Sequence, residues 1–128
     1  MLKKKPLFKI YGTNYSTKDG SCVRDFIHVS DIAEIHSLVL KKIDKTNKSK
    51  ILNCGYSKGI SVKQVAKKFL NYANKNAKIV EAQRRKGDLS QIIAVTKNLK
   101  KFIRWKPKFD KLDIMVKSSL KWEKNSKF

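Results

Sequence analysis

Apolar and polar positions switch period several times along the chain, and each switch marks a new element. Leu7-Phe8-Lys9-Ile10-Tyr11 alternates as a short strand, and Gly12 to Gly20 is a polar loop rich in Asn, Ser, Thr, Asp and Gly. A further element begins at Val23, with Phe26, Ile27 and Val29 as a brief extended piece. Asp31 followed by Glu34 has the spacing of a capping box, which predicts a helix start there and a helix to about Ile43 carrying Ile32, Ile35, Val39 and Ile43 on one face. Lys45 to Lys50 reads as a charged turn and Ile51-Leu52-Asn53-Cys54-Gly55 as a short apolar strand.

Ser61 and Gln64 form a second capping box, and Val62, Val65, Ala66, Phe69, Leu70 and Ala73 follow at helical spacing. Ile79 to Ala82 predicts a strand. Thr96 is placed to cap a short helix through Leu99, Phe102 and Ile103 that must end before Pro107, because proline has no amide to donate and restricts the residue before it. Leu112, Met115, Val116, Ser119 and Trp122 mark a last helix. Strands alternating with helices predict an α/β or α+β unit, and with no repeat, low-complexity tract or internal linker, residues 1–128 read as a single unit.

Composition narrows this picture. The 128 residues, 41% of them hydrophobic, suffice for one domain with a core. A formal charge of +21 points first to a polyanion partner. Against that, the cations are spread along the whole chain, and only Arg24, Arg84, Arg85 and Arg104 among the 31 basic residues are Arg. Arginine's planar fork is the better reader of phosphates and bases, so a Lys-dominated excess reads as solvated surface, without a specific nucleic-acid partner.

Cys22 and Cys54 are isolated, and His28 and His36 cannot share one helical turn, so neither a disulfide framework nor a metal site is expected. The segment after Met1 is basic but lacks a long apolar run, and nothing approaches transmembrane length. A cytoplasmic location, with no membrane partner, is the expectation by elimination.

Five motifs occur in order: Tyr-Gly-x-x-Tyr-x-Thr-x-Asp-Gly (Tyr11 to Gly20), Val-Arg-Asp-Phe-Ile-His-Val-x-Asp (Val23 to Asp31), Leu-Asn-x-Gly (Leu52 to Gly55), Ser61-Val62, and Arg-Arg-x-Gly-Asp (Arg84 to Asp88). In this order and rough spacing the chain resembles, from about Leu7 to Lys124, the C-terminal part of the UDP-glucose 4-epimerases, which are extended short-chain dehydrogenase/reductases. The fold the resemblance implies is the substrate-binding part of that α/β architecture, lacking most of the Rossmann domain.

By the resemblance, Arg24 and Arg85 match diphosphate-binding arginines, Asp88 a carboxylate that accepts from the uridine ribose, and Tyr11 an aromatic beside the uracil. Phe26 falls where the family usually has Tyr, and so does Ile92, which removes polar contacts. Each residue also has an ordinary reading: Arg24 as an ion pair with Asp25, Asp88 as a turn residue after Gly87, Tyr11 and Phe26 as half-buried strand residues, Arg84 as a solvated neighbour, His28 as a satisfied structural histidine, Asp31 as a helix cap, and Cys54 as apolar filler.

The family's chemistry is an NAD hydride shuttle that needs a Tyr with a Lys four residues later and a glycine-rich turn for the cofactor pyrophosphate. Tyr11, Tyr15, Tyr56 and Tyr72 are followed at that distance by Tyr15, Asp19, Ile60 and Asn76, and the glycines at 12, 20, 55, 59 and 87 do not form the turn. The expectation is therefore a truncated or split epimerase that binds a UDP-sugar but not NAD. It has no catalytic residue of its own and depends on a separate N-terminal NAD-binding half. The rival expectations are part of another UDP-sugar epimerase or dehydratase, or a small basic nucleic-acid module.

Overall fold

A computed structural model describes residues 7–45, 48–72 and 77–125. Strand β1 (Leu7–Tyr11) pairs in parallel with β4 (Lys78–Ala82), placing Tyr11 opposite Ala82. A second, mixed sheet has β2 (Val23–Arg24) at its centre, antiparallel to β3 (Ile60–Ser61) and parallel to β5 (Gln91–Ile92). The helices are α1 (Val29–Ile43), α2 (Val62–Tyr72), α3 (Lys97–Phe102) and α4 (Leu112–Asn125).

The best-patterned elements form as their periodicity predicts. In α2, Ser61 and Gln64 close the capping box in both directions: the Ser61 amide donates to Gln64 Oε1 at 2.9 Å and the Gln64 amide to Ser61 Oγ at 3.1 Å. Val65 and Ala66 are buried, Phe69 meets Phe8 of β1 at 6.2 Å between ring centroids, and Ala73 lies outside the described residues. Strand β1 turns Ile10 inward and leaves Leu7, Lys9 and Tyr11 outside, as a period of two requires. A separate cluster of Ile35, Leu99 and Ile103 joins α1 to α3, with Ile27, Leu52, Cys54 and Trp105 packed on it.

Four expectations are corrected. Helix α1 is capped by His28, not Asp31: Nδ1 of His28 accepts from the Ser30 amide at 3.1 Å, and Val29 already lies in the helix. Asp31 is drawn inward instead and is fully buried, because it accepts from Tyr56 Oη at 2.5 Å and from the amides of Lys108 and Phe109, all remote in sequence. Glu34 pairs with Lys108 rather than reaching back to the helix start. Residues 51–55 are not a strand, because no neighbouring strand lies beside them among the described residues, and a ladder needs two. Thr96 precedes α3 without a capping bond, its hydroxyl lying 2.7 Å from that of Ser57. The last helix forms as expected, with Trp122 on α4 and 67% exposed. The two-residue strand β5 carries no apolar alternation and was not anticipated.

Candidate functional site

The parallel pairing of β1 with β4 delivers Tyr11 and Arg84–Arg85 to the same end of one sheet, while β2 brings Arg24 alongside β5, just past Asp88. Gly12 donates to Ala82 O at 2.8 Å and holds φ at +83°, a left-handed conformation that costs a side-chain-bearing residue energy. A Cβ there would lie 2.5 Å from both Arg84 Cγ and Tyr15 Cε2. The chain then turns at Arg85 to Asp88, closed by the Asp88 amide donating to Arg85 O, with Gly87 supplying the positive φ.

Four of the five sequence-predicted residues converge. Arg85 Nε donates to Asp88 Oδ2 at 2.8 Å, Arg24 lies 3.8 Å from Asp88 Oδ1, and the Arg85 guanidinium sits 4.9 Å from the Tyr11 ring centre. Asp88 thus holds two cations, and its hydrogen bond raises the Arg85 pKa above its ordinary value. The Arg24 and Asp88 side chains keep 23% and 19% of their exposure, whereas Arg85 keeps 63%. Arg85 is therefore held by a solvent-screened pair and by the face of the Tyr11 ring, both of which a ligand can replace at small cost. Phe26 is half-buried two residues beyond Arg24 and makes no ring or cation–π contact with these four. Ile92 stands opposite Arg24 in the sheet register and is 51% exposed.

The ordinary readings separate cleanly. Asp25 does not pair with Arg24, since its carboxylate accepts from the amides of Tyr56 at 3.0 Å, Ser57 at 2.9 Å and Ala94 at 3.3 Å. It is a positioning residue for the loops that flank Arg24, a role sequence reasoning missed. The one local signal is Gly55, where a Cβ would lie 2.5 Å from Asp25 Oδ2. Arg84 stacks 3.9 Å from the Tyr15 ring centre and donates to Asn14, which makes it a structural neighbour. His28 is satisfied: with Nδ1 accepting, the neutral ring carries its proton on Nε2 toward Ser118 Oγ at 2.8 Å, while Ser118 donates to Met115 O. That tautomer cannot act as a base on Ser118. Cys54 is half-buried, and burial pushes its thiol pKa up.

Two guanidiniums with most of their N–H donors free, beside one aromatic face, suit a ligand carrying adjacent anionic oxygens and a flat ring. Two cavities, of about 710 Å³ beside Val29 and Trp122 and about 630 Å³ beside Ser57 and Val95, lie away from these four residues. Neither α1 nor α2 opens on the run of free amides that holds a pyrophosphate. First-turn amides of α1 and α2 are already taken, Ser30 by His28, Lys63 by Ser21 Oγ and Gln64 by Ser61 Oγ, and no glycine turn opens either helix.

Comparison with known proteins accords with this geometry. The sequence model of the NAD dependent epimerase/dehydratase family matches residues 1–55, and the chain is a relative of that family with the α/β fold of part of an extended short-chain dehydrogenase/reductase. Within it the relatives are UDP-glucose 4-epimerases: the chain is 38% identical over 125 residues to that of Azospirillum brasilense and 35% identical over 117 residues to that of Lacticaseibacillus casei. Among solved structures it is similar to the UDP-Glc/GlcNAc 4-epimerase of Campylobacter jejuni, with 39% identity and a TM-score of 0.83, covering 96% of this chain and 37% of that one. It is also similar to the UDP-glucose 4-epimerase of Bifidobacterium longum in complex with NAD+ and UDP, with 36% identity and a TM-score of 0.80, covering 91% and 35%. The matches span nearly all of this chain, 98% of it for the Azospirillum enzyme, but only 36% of that enzyme's length. Among the described residues no helix is long and apolar enough to cross a membrane.

Proposed function

We propose that residues 1–128 act as one unit, the C-terminal UDP-sugar-binding portion of an enzyme of the UDP-glucose 4-epimerase type. The observation that carries this reading is the convergence of Arg24 and Arg85, far apart in sequence, on Asp88 beside the Tyr11 ring. In this reading a diphosphate takes the two guanidiniums, each trading a shared carboxylate for charge-assisted bonds to phosphate oxygens. Asp88, released from the pair, accepts from the ribose, and Tyr11 offers its face to the uracil. Phe26, two residues past Arg24, lacks the hydroxyl of its family counterpart.

NAD and the hydride chemistry belong to the portion of an epimerase that this chain does not match. That portion is an N-terminal half, and we expect no epimerisation from residues 1–128 alone. Galactose metabolism and a cytoplasmic location follow from the same reading. The test is a titration of the chain with UDP, uridine and inorganic pyrophosphate. UDP should bind more tightly than either half, because both the arginine pair and the ring contribute. Equal binding of pyrophosphate and UDP would reduce the site to generic cationic surface.

A further inference from the structure

Tyr15, the second tyrosine of the Tyr11–Gly20 motif, is not among the four converging residues, yet its side chain is packed against them. It is 7% exposed, and its ring is wedged against the strand ends that present Tyr11 and Arg85. A Cβ on Gly12 would lie 2.5 Å from Tyr15 Cε2 and 3.1 Å from Cζ, and the Arg84 guanidinium sits 3.9 Å from the ring centre. At the end of this packed ring the hydroxyl has no hydrogen-bond partner among the described residues. The neighbouring Cys22 thiol, buried as well, is too weak a donor and acceptor to satisfy it. A buried hydroxyl left in this state costs stability, and phenylalanine would fill the same space without that cost.

Asp88 is the acceptor that this hydroxyl lacks. Burial, the Cys22 thiol and the Asp88 charge raise the Tyr15 pKa against the pull of Arg84, so the carboxylate acts on the hydroxyl and the phenol stays a protonated donor at neutral pH. In the free chain Asp88 is engaged by Arg85 Nε at 2.8 Å and faces Arg24 at 3.8 Å. A ligand that draws both guanidiniums away leaves this carboxylate, 19% exposed, short of donors. A donor without an acceptor thus stands near an acceptor that binding strips of its donors. We propose that Tyr15 is a positioning residue for the nucleotide site: when a diphosphate takes Arg24 and Arg85, the Tyr15 hydroxyl donates to Asp88 and holds the carboxylate toward the ribose. The proposal rests on the UDP-binding reading above and adds to it a residue that touches no ligand atom. The unpartnered hydroxyl is a penalty of the free state alone, so its relief favours the bound one.

The test is calorimetry of the full chain, Tyr15→Phe, Asp88→Ala and the double variant with UDP and with inorganic pyrophosphate, alongside urea unfolding of each free protein. Tyr15→Phe keeps the packed ring and should bind either ligand about tenfold more weakly, because both draw the arginines from Asp88. In the Asp88→Ala background the same change should alter affinity by less than about twofold, a coupling that a merely structural ring contact would not produce. The urea midpoint of free Tyr15→Phe should equal or exceed that of the wild type. A fall in that midpoint would show the hydroxyl already bonded in the free chain and overturn the proposal. Equal affinity of wild type and Tyr15→Phe would overturn it too, as would the same tenfold loss with Asp88 absent. If UDP binds no more tightly than pyrophosphate, the epimerase reading fails while pyrophosphate still decides the exchange at Asp88. Binding of neither ligand by the wild type would overturn both.

Discussion

Replacing Asp31 with Ala removes one buried acceptor from three donors, and its cost can be worked from the geometry. Asp31 is fully buried and takes hydrogen bonds from Tyr56 Oη at 2.5 Å, Phe109 N at 3.1 Å and Lys108 N at 3.2 Å. Hydrogen bonds to a charged group contribute about 1.5–3 kcal/mol each, so removing the acceptor that three buried donors share costs several kcal/mol even when water partly re-solvates them. Against a total stability of about 5–15 kcal/mol, that is a large fraction. Tyr56→Phe deletes only one of the three bonds and should cost about 1–2 kcal/mol. Urea unfolding followed by tryptophan fluorescence suits the measurement, because Trp105 stacks near Tyr56 with ring centroids 6.3 Å apart. The double variant should cost less than the sum of the singles, since the shared bond is lost only once. A loss below about 1 kcal/mol for Asp31→Ala, the range of an ordinary surface change, would refute the network as a structural tie.

Two further outcomes are expected. Burial works against the charge of Asp19, but the Ser61 and Ser21 hydroxyls and the Ser21 amide outweigh it and hold its pKa below the ordinary value. A depressed folded pKa contributes stability above the unfolded value of about 3.9 and loses it as pH falls through the folded one. Asp19→Asn should therefore lower the urea midpoint at pH 7 and flatten its decline between neutral and strongly acid pH, and parallel declines in both proteins would contradict this. Gly12→Ala forces a side chain onto a φ of +83° with a Cβ 2.5 Å from Arg84 and Tyr15. It should cost at least about 1–2 kcal/mol, read as a lower midpoint in thermal unfolding, and an unchanged midpoint would show that the turn relaxes freely.

How much was legible depended on whether a residue's partner was close in sequence. Helix α2 could be read because its apolar spacing and capping box are both local, and the Ser61–Gln64 bonds form as the pattern requires. The start of α1 could not, since Asp31 serves donors at Tyr56, Lys108 and Phe109 that no local pattern reveals, leaving the cap to His28. Residues 51–54 alternate as a strand does but have no neighbouring strand among the described residues. Tyr11, Arg24, Arg85 and Asp88 were singled out because their motifs resemble a family, not because their spacing predicts the proximity that the fold gives them. Asp25 escaped notice because its work is to bind backbone amides of two later loops.

The account stands most directly on one measurement, calorimetry of UDP binding to the wild-type chain and to Arg24→Ala, Arg85→Ala and Arg84→Ala. Losing a charge-assisted contact should weaken binding by roughly 10- to 100-fold for Arg24→Ala and Arg85→Ala. Arg84, stacked on Tyr15 and tied to Asn14, should change it by much less. Equal affinity of the wild type, Arg24→Ala and Arg85→Ala would contradict the site.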